Sequence, residues 1–487
     1  MRGVSALALF VLCLPTWASV IFRAGPGPDK DTPSPEAQYL SVPLDHFAAS
    51  SPVWKLKYWI NDNEWQLGGP LVVAMPQEEL VFSSGAKFLL NYSAPWASEL
   101  KPVIVTTEHR FFGESVPNLD SSVANLKYHT VEQSLKDIVA LIDYMRASPK
   151  FRSISSVIAV GGSYSGALAA WIRRLYPEKV HAAIAHSPVV DAFMDFPQYG
   201  ISNLVALSSP DSRCANVLAR LVQALKRQFL ENKEETLNAY DASVFAQDPL
   251  GDFTFMYYAS SLVTNGIESG GKQQICEMVE TLTDDYQNVS FSDQTAVKFL
   301  AAQTPYMRTL AFSFSSLRNC TSGSKSDPSK CSVQMRPWWW LKCTQLGWFK
   351  TGPVSGLSSN PFEDLNVKKF LETCSYMFPS ASLVNDQRIA AFNSLFGGAA
   401  QLNVTNVFTI DYSDDPWKMA TTASLVERQS WPLQETQPFM LLTCDGCGHC
   451  GIGAPQGKLA GIANQELWYL RQWLKEGISK PSSIAIV

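Results

Sequence analysis

The chain has few charged residues and no long run of charged residues. Charged residues make up 17% of its 487 residues, the net charge is −5, and no dense Lys/Arg cluster is present. Proteins that bind nucleic acid carry a basic patch, so nucleic acid is not expected as a partner. The chain also lacks repeats, low-complexity tracts and, beyond its N-terminus, any apolar run of membrane length. These absences indicate an ordinary globular protein whose function depends on individual residues.

The N-terminus has the features of a secretory signal peptide. Arg2 precedes an apolar stretch from Val4 to Leu14, and small residues at Thr16 and Ala18 fit cleavage after Ala18. The stretch is too short to cross a bilayer. We therefore expect residues 1–18 to be a signal peptide and the remaining chain to be secreted or endosomal and lysosomal, with no membrane span. The alternative is a buried N-terminal strand or helix.

Sequons and cysteines agree with an oxidising compartment. Four sequons predict glycosylation at Asn91, Asn288, Asn319 and Asn403. Nine of the ten cysteines follow the signal peptide, and eight of these lie beyond residue 270. They are expected to be partly disulfide-bonded, and their odd number leaves at least one free thiol or an intermolecular bond.

Strand and helix patterns alternate from about residue 40 to 195. Apolar runs predict strands at 55–60, 71–75, 103–107, 156–160, 180–186, 404–410 and 439–443. Helical periodicity predicts helices at 131–147, 164–175, 217–237 and 465–476. The order predicts an α/β fold with a mostly parallel sheet, divided into a first core part (19–195), a helical cap (196–395) and a second core part (396–487).

A cluster of small residues around Ser163 is the first candidate catalytic motif. Residues 157–166 read V-I-A-V-G-G-S-Y-S-G and join a strand pattern to an alanine-rich helical one. This is typical of a nucleophile elbow, in which a serine sits on a strained strand-to-helix turn. Ser165 stands where the usual G-x-S-x-G pattern has glycine, and the glycine follows at Gly166. An ordinary glycine-rich turn is the alternative.

Histidine is scarce, and its scarcity limits the choice of a base. In α/β-hydrolases the nucleophile, the acid and the histidine follow in that order along the chain. Three of the six histidines precede Ser163, and His181 and His186 come too soon for an acid-bearing strand to intervene, so only His449 fits. The acid is expected after the strand at 404–410, where spacing alone leaves open Asp411, Asp414 and Asp415. Active sites of open α/β sheets lie at the carboxyl ends of the strands, so these side chains should converge.

The chain resembles the prolylcarboxypeptidase family of serine peptidases, which includes lysosomal dipeptidyl peptidase II and thymus-specific serine protease. The motifs are Gly-Gly-Ser-Tyr at 161–164, Asp-Asp-Pro-Trp at 414–417, Gly-His-Cys at 448–450 and Glu-His-Arg-Phe-Phe-Gly-Glu-Ser at 108–115, with further matches between about residues 40 and 475. The resemblance implies an α/β-hydrolase core and selects Asp415 for a triad with Ser163 and His449. The backbone N–H of Tyr164 is expected to serve as an oxyanion donor.

The resemblance also implies a substrate class. It suggests an exopeptidase for short peptides with a preference for cleaving after proline, in carboxypeptidase or dipeptidyl-peptidase mode, and a possible homodimer. No cofactor or metal is expected. A disulfide between Cys343 and Cys374 is implied. The expected substrate contacts are Glu78, Trp338, Trp340, Gln345 and Trp417.

The chain departs from the family at two segments, and the loss of the glycine-rich one motivates a rival hypothesis. Related chains have a glycine-rich Gly-x-Glu-Gly segment where this chain has Pro76–Glu79, and Cys-Thr-Glu where it has Cys343-Thr344-Gln345. Proline has no N–H to donate. The rival is a catalytically silent secreted glycoprotein that acts by binding; a lipase or esterase lacks support from the other motifs.

A zinc site is a further alternative at the cluster of Cys444, Cys447, His449 and Cys450. Free thiolates are not expected in an oxidising compartment, so disulfides or a structural thiol are favoured over zinc.

Overall fold

The computed structural model describes residues 35–78, 95–259, 266–282, 291–303, 313–321, 335–353, 357–399, 402, 404–424 and 437–474. The predicted signal peptide and three predicted glycosylation sites, Asn91, Asn288 and Asn403, lie outside these residues. Asn319 lies within them and is exposed, and its glycosylation stays a prediction. No helix in the described ranges combines the length and the apolar character that a membrane span needs.

Eight strands form one sheet. They are β1 (Gln38–Pro43), β2 (Val53–Asn61), β3 (Leu71–Ala74), β4 (Val103–Thr107), β5 (Val157–Gly162), β6 (Ala182–His186), β7 (Val407–Tyr412) and β8 (Phe439–Leu442). Their order across the sheet is β1-β2-β4-β3-β5-β6-β7-β8. The pairs β1–β2 and β2–β4 are antiparallel, and all other neighbours are parallel. The predicted α/β fold with a mostly parallel sheet is confirmed, although β1 was not predicted.

The main α-helices of the described residues lie between and after these strands. They are α1 (Pro95–Leu100), α2 (Val123–Leu126), α3 (Val131–Ala147), α4 (Ser163–Leu175), α5 (Gln198–Leu207), α6 (Arg213–Glu231), α7 (Lys233–Ala239), α8 (Gly251–Ala259), α9 (Lys272–Glu280), α10 (Asp293–Gln303), α11 (Phe314–Leu317), α12 (Met335–Leu341), α13 (Val367–Met377), α14 (Asp386–Phe396) and α15 (Gln456–Trp473).

The central strands are buried on both faces because helices cover each side of the sheet. Val73 and Ala159 point to one face and pack in a cluster with residues of α3 and α4. Val72 and Ile158 point to the other face and pack with residues of α1 and α15. Successive strand residues face opposite sides, so each short apolar run contributes to both layers. The sheet is therefore fixed from both sides, and its carboxyl edge is a rigid support for loops.

The described residues between β6 and β7 form helices and connecting segments and contain no strand. They supply most of a hydrophobic cluster that includes Leu218, Phe253 and Trp339. The single helix predicted at 217–237 is wrong: α6 and α7 are separated at Asn232, whose φ is −136°. Asparagine favours such breaks because its side chain competes for backbone hydrogen bonds. The cap boundaries at 196 and 395 stay a prediction.

Three disulfides join cysteines of the described residues. They are Cys214–Cys276, Cys343–Cys374, which the family resemblance implied, and Cys444–Cys447. Cys320 is also disulfide-bonded, whereas Cys450 is a buried free thiol. Because the sulfurs of Cys444 and Cys447 are bonded to each other, they cannot serve as the two thiolates of the alternative zinc site.

Candidate active site

Ser163 lies on a strained turn at the carboxyl end of β5. The strand ends at Gly162, α4 begins at Ser163, and the φ of Ser163 is 58°. A non-glycine residue in this left-handed region costs about 1 to 3 kcal/mol and persists only where its surroundings enforce it. A Cβ atom at Gly161 would lie 2.2 Å from the Ser165 carbonyl oxygen, and one at Gly166 would lie 2.9 Å from that of His186. The glycines therefore allow the tight turn that presents Ser163, as in an α/β-hydrolase elbow.

Ser165 replaces the expected glycine of the elbow and is fully buried. Its hydroxyl donates to the Gly162 carbonyl oxygen at 2.8 Å and accepts the Gly162 N–H at 3.0 Å. It also accepts a hydrogen bond from Gln77 Nε2 at 2.9 Å. Gln77 belongs to the loop after β3 in which the family's glycine-rich segment is replaced. The replaced glycine-rich segment and the unusual elbow position are thus joined by one hydrogen bond, which the sequence did not predict.

The three candidate acids have different positions and partners. β7 continues to Tyr412, so Asp411 lies within the sheet, where it accepts hydrogen bonds from Thr422 and Ala423. Asp414 accepts the Gly448 N–H at 3.2 Å. Asp415 Oδ2 lies 2.7 Å from His449 Nδ1, and both side chains are fully buried. Asp415 is therefore the acid of these three that contacts the candidate base.

His449 follows β8 on a loop fastened to the neighbouring strand ends. The next residue, Cys450, donates its N–H to Ser187 Oγ at 3.0 Å and its thiol to the His186 carbonyl oxygen at 3.7 Å. His186 pairs with Gly162 in the sheet, and Ser163 comes next along the chain. The loop that carries the candidate base His449 is thus held beside the turn at Ser163. Burial opposes a charge on the imidazole, but Asp415 overrides it and raises the pKa of His449 well above its usual value.

Tyr164 is held by a second histidine. Its hydroxyl lies 3.0 Å from His109 Nε2, and His109 Nδ1 lies 2.9 Å from the Arg110 carbonyl oxygen. Burial lowers the pKa of His109 to about 4, so the ring is neutral near pH 7. Its Nδ1–H donates to the carbonyl, and its Nε2 accepts from the tyrosine. The backbone N–H of Tyr164 belongs to the first turn of α4, where N–H groups have no acceptor within the helix.

A cluster of charged side chains braces the loops behind Tyr164. Arg110 forms two hydrogen bonds with Asp137, at 2.7 and 2.8 Å, and His46 Nε2 lies 2.7 Å from the same carboxylate. Glu108 accepts the backbone N–H and the hydroxyl of Ser115, both at 2.9 Å. We call Glu108, Arg110, Asp137 and His46 the brace. Its carboxylates are engaged within the protein, which fits a structural role.

A row of aromatic rings runs from Tyr164 to His449. The ring centroids are 5.4 Å apart between Tyr164 and Trp338, 5.8 Å between Trp338 and Trp348, and 6.1 Å between Trp348 and Trp417. Trp417 lies 6.3 Å from His449. We call Trp338, Trp348 and Trp417 the aromatic row. The sequence predicted two of its members as substrate contacts and missed Trp348, which has no motif around it.

The other predicted substrate contacts lie in different surroundings. Trp340 is 5% exposed, packs against Phe378 and donates its indole N–H to the His129 carbonyl oxygen. Gln345 accepts the Val131 N–H at 2.8 Å and donates to Glu132, so it fastens α3. Substrate roles for these two residues stay predictions.

Trp417 is fixed by charged groups that the sequence did not reveal. Its indole N–H donates to Glu268 Oε1 at 3.0 Å, and Glu268 Oε2 accepts from Tyr199 and, at 3.3 Å, from Lys350. The Lys350 ammonium lies 3.9 Å from the Tyr199 ring and 4.8 Å from the Trp417 ring. Burial lowers the pKa of Lys350. Glu268 and Lys350 carry no motif, since their proximity arises only when the helices after β6 fold over the sheet.

Glu78 reaches the same site from the loop after β3. Its Oε2 atom is shielded from solvent and has no hydrogen-bond partner among the described atoms, although the residue as a whole is half-buried. Desolvation raises the pKa of Glu78 to about 7, and the carboxyl interacts electrostatically with His449 and Glu268. The pKa of Tyr164 is raised well above its usual value by burial and then by Glu78. Glu78 therefore lies near Tyr164 of the elbow, near the candidate base His449 and near Glu268, which fixes Trp417.

Comparison with known proteins gives matches along most of the chain. Residues 42–436 match the profile of a family described as serine carboxypeptidase S28. Thymus-specific serine protease from Mus musculus is 25% identical over 481 residues, covering 93% of this chain and 90% of that protein. The Homo sapiens protein of that name is 24% identical over 92% of this chain and 88% of its own. Lysosomal Pro-X carboxypeptidase from Bos taurus is 31% identical over 39% of each chain.

Proposed function

Because the chain belongs to the serine carboxypeptidase S28 family and is a serine peptidase, we propose that it is an exopeptidase for short peptides in which Ser163, His449 and Asp415 form the catalytic triad. The observation that carries the proposal is the 2.7 Å hydrogen bond between His449 Nδ1 and Asp415 Oδ2. It lies at the sheet edge where Ser163 adopts its left-handed φ. These residues follow β5, β7 and β8, whose carboxyl ends share that edge.

The hydrogen bond to Asp415 assigns different roles to the two imidazole nitrogens. Nδ1–H is held by the carboxylate, so Nε2 is the nitrogen that takes the Ser163 proton while Oγ attacks the peptide carbonyl. His449 then gives this proton to the leaving amine, and the acyl group stays on Ser163. Water, deprotonated by the same Nε2, attacks the ester, and Nε2 then returns this proton to Ser163 Oγ as the acid is released. Asp415 stabilises the imidazolium in both halves of the reaction.

Two backbone groups are proposed to bind the oxyanion. Tyr164 N–H stands beside Ser163 in the first turn of α4. In the loop after β3, the Met75 N–H already donates to the Val160 carbonyl oxygen, and Pro76 has no N–H. Gln77 therefore supplies the first backbone N–H of this loop that the sheet does not use. Its side chain is tied to Ser165 in the elbow, which supports this placement.

The aromatic row supports a preference for proline at the cleavage site. Trp338 and Trp417 stand between the oxyanion residue Tyr164 and the base His449, where the residue before the scissile bond would lie. Flat aromatic faces pack well against the rigid, apolar pyrrolidine ring. The name of the bovine relative, Pro-X carboxypeptidase, points in the same direction.

The rival, a silent binding protein, is less well supported. It gives no reason for the strained φ of 58° at Ser163 or for the buried pair of His449 and Asp415. Backbone strain of this kind is kept at functional sites because the surrounding structure maintains it.

A labelling and cleavage experiment tests the proposal. The purified chain is treated with a fluorophosphonate, and Xaa-Pro-Xaa peptides are incubated with the wild type and with Ser163→Ala between pH 4.5 and 8. We expect labelling and cleavage with the wild type and neither with the variant. Absence of both from the wild type at every pH would favour the silent binding protein.

We also propose that the chain works in the secretory pathway, outside the cell or in endosomes and lysosomes. The disulfides of the described residues form and persist in oxidising compartments. The bovine relative is lysosomal by name. A tagged full-length chain followed by microscopy and by glycosidase digestion tests the location and the predicted glycosylation at Asn319.

A further inference from the structure

Glu78 is an acidic group of the site with an open acceptor position. Its Oε2 atom is shielded from solvent and has no hydrogen-bond partner among the described atoms. Desolvation of this carboxyl raises the pKa of Glu78 to about 7, and a cation that binds it would favour the ionised form. No Lys or Arg in the described ranges forms an ion pair with Glu78. The open position therefore favours a positively charged ligand.

The other charges of the site are already compensated. Glu268 accepts hydrogen bonds from Trp417, Tyr199 and Lys350. The Lys350 ammonium is paired with that carboxylate and lies over two aromatic rings. Asp415 is bonded to His449. Of these three carboxylates, Glu78 is the one with a buried oxygen that accepts no hydrogen bond from the described residues. It is therefore the carboxylate that can accept a hydrogen bond from the substrate.

The charged groups of the site favour the ammonium end of a peptide over its carboxylate end. Glu78, Glu268 and Asp415 are carboxylates, and Lys350 is the lysine that interacts with Glu268 and Asp415. A substrate carboxylate would have to compete with Glu268 for Lys350 and with Asp415 for His449, since both cationic groups already have a carboxylate partner. An α-ammonium group carries three N–H donors, and the Oε2 atom of Glu78 is open to accept one of them.

We propose that Glu78 binds the free α-ammonium group of the substrate, so that the chain releases residues from the amino end of short peptides. The inference rests on the proposed function, because the ammonium is placed relative to Ser163 and His449. Glu78 adjoins Gln77, whose side chain is hydrogen-bonded to the elbow at 2.9 Å. The carboxylate is therefore attached to the acyl side of the site and limits how much peptide can precede the scissile bond.

Matched peptides test the inference. One pair has the same sequence with a free or an acetylated amino end, and a second pair has a free or an amidated carboxyl end. For the wild type, acetylation should lower kcat/KM by on the order of thirtyfold or more, since it removes a buried charged partner. Amidation should change it little. In Glu78→Gln the ratio of free to acetylated substrate should fall to about one, and a ratio taken within one variant cancels any general loss of activity.

A matched control and a competition assay separate this inference from the proposed function. Glu64→Gln changes an exposed acid paired with Lys101 and should keep the wild-type ratio. Dipeptides with a free amino end should protect Ser163 from the fluorophosphonate, whereas acetylated dipeptides should not. Equal rates or equal protection for both forms, or a loss on amidation in place of acetylation, would overturn the inference while labelling still supports the triad. Absence of labelling would instead remove the proposed function and, with it, this inference.

Discussion

The brace behind Tyr164 and the site in front of it are both groups of buried charges, but they are completed differently. In the brace, Asp137 is bonded to Arg110 and His46, and Glu108 accepts from Ser115. In the site, the Oε2 atom of Glu78 accepts no hydrogen bond from the described residues. A buried charge that is fully paired stabilises one conformation of the chain, whereas an unpaired one has a free energy to gain from a ligand. The contrast separates residues that hold the fold from residues that act on a substrate.

The largest effect is expected from removing the acid of the site. Asp415→Asn should lower kcat by roughly 10⁴-fold, because Nδ1 of His449 loses the carboxylate that fixes its tautomer. The melting temperature should change little by comparison. Kinetics with an Xaa-Pro-Xaa peptide measure the effect. Asp411→Asn is the matched control, since Asp411 lies on β7 and contacts Thr422 and Ala423. An equal loss in both variants would contradict the selection of Asp415.

Removing the acid of the brace should act on stability. Asp137→Ala leaves the buried Arg110 without its carboxylate, and such a loss costs about 3 to 5 kcal/mol in the free energy of unfolding. Asp143→Ala, on the same helix, breaks an exposed pair with Lys179 and should cost less than about 1 kcal/mol. Denaturant unfolding of both variants measures the difference. Similar values would show that the brace is no more than a surface ion pair.

A third prediction concerns His109, which links the two regions. Its pKa of about 4 lies below the unfolded value of about 6.5. Between these values the unfolded chain binds more protons than the folded chain, so stability is lost as the pH falls from 6.5 to 4, by about 3 kcal/mol in total. His109→Gln cannot titrate. The difference in unfolding free energy between wild type and variant should therefore shrink over this range, and a difference independent of pH would contradict the neutral assignment.

The smallest effect is expected from the hydrogen bond between Gln77 and Ser165. Gln77→Met and Ser165→Ala should each destabilise the chain by about 1 kcal/mol, and the double variant should cost less than the sum. If the pair positions the Gln77 N–H, both single variants should also lower kcat more than they raise KM. A double-mutant cycle on unfolding and on kcat measures this coupling. Additive losses would show that Gln77 and Ser165 act independently.

The sequence predicted those features that are local or ordered along the chain. The sheet, α3 with its bounds and the positions after β5, β7 and β8 follow from apolar periodicity and from the parallel topology. The scarcity of histidine, together with the order of the expected triad along the chain, was enough to leave His449 as the candidate base. The family resemblance then selected Asp415, the acid that contacts His449.

The sequence did not predict contacts between segments that are distant along the chain. Glu268 and Lys350 meet at Trp417 only because the helical segment after β6 folds over the sheet edge. Gln77 lies in the segment that replaces the family's glycine-rich loop and Ser165 lies in the elbow, and only their 2.9 Å separation shows that they are partners. Neither pair has a periodicity or a motif, since tertiary packing alone brings them together.

The position of β7 and β8 also determines when the protein can begin to act. Ser163 precedes the helical segment along the chain, while Asp415 and His449, the proposed acid and base, follow it. During synthesis the elbow therefore emerges long before its partners, as a nucleophile without a base. Under the proposed triad, a chain halted before β8 would lack the base and could not cleave peptides through Ser163.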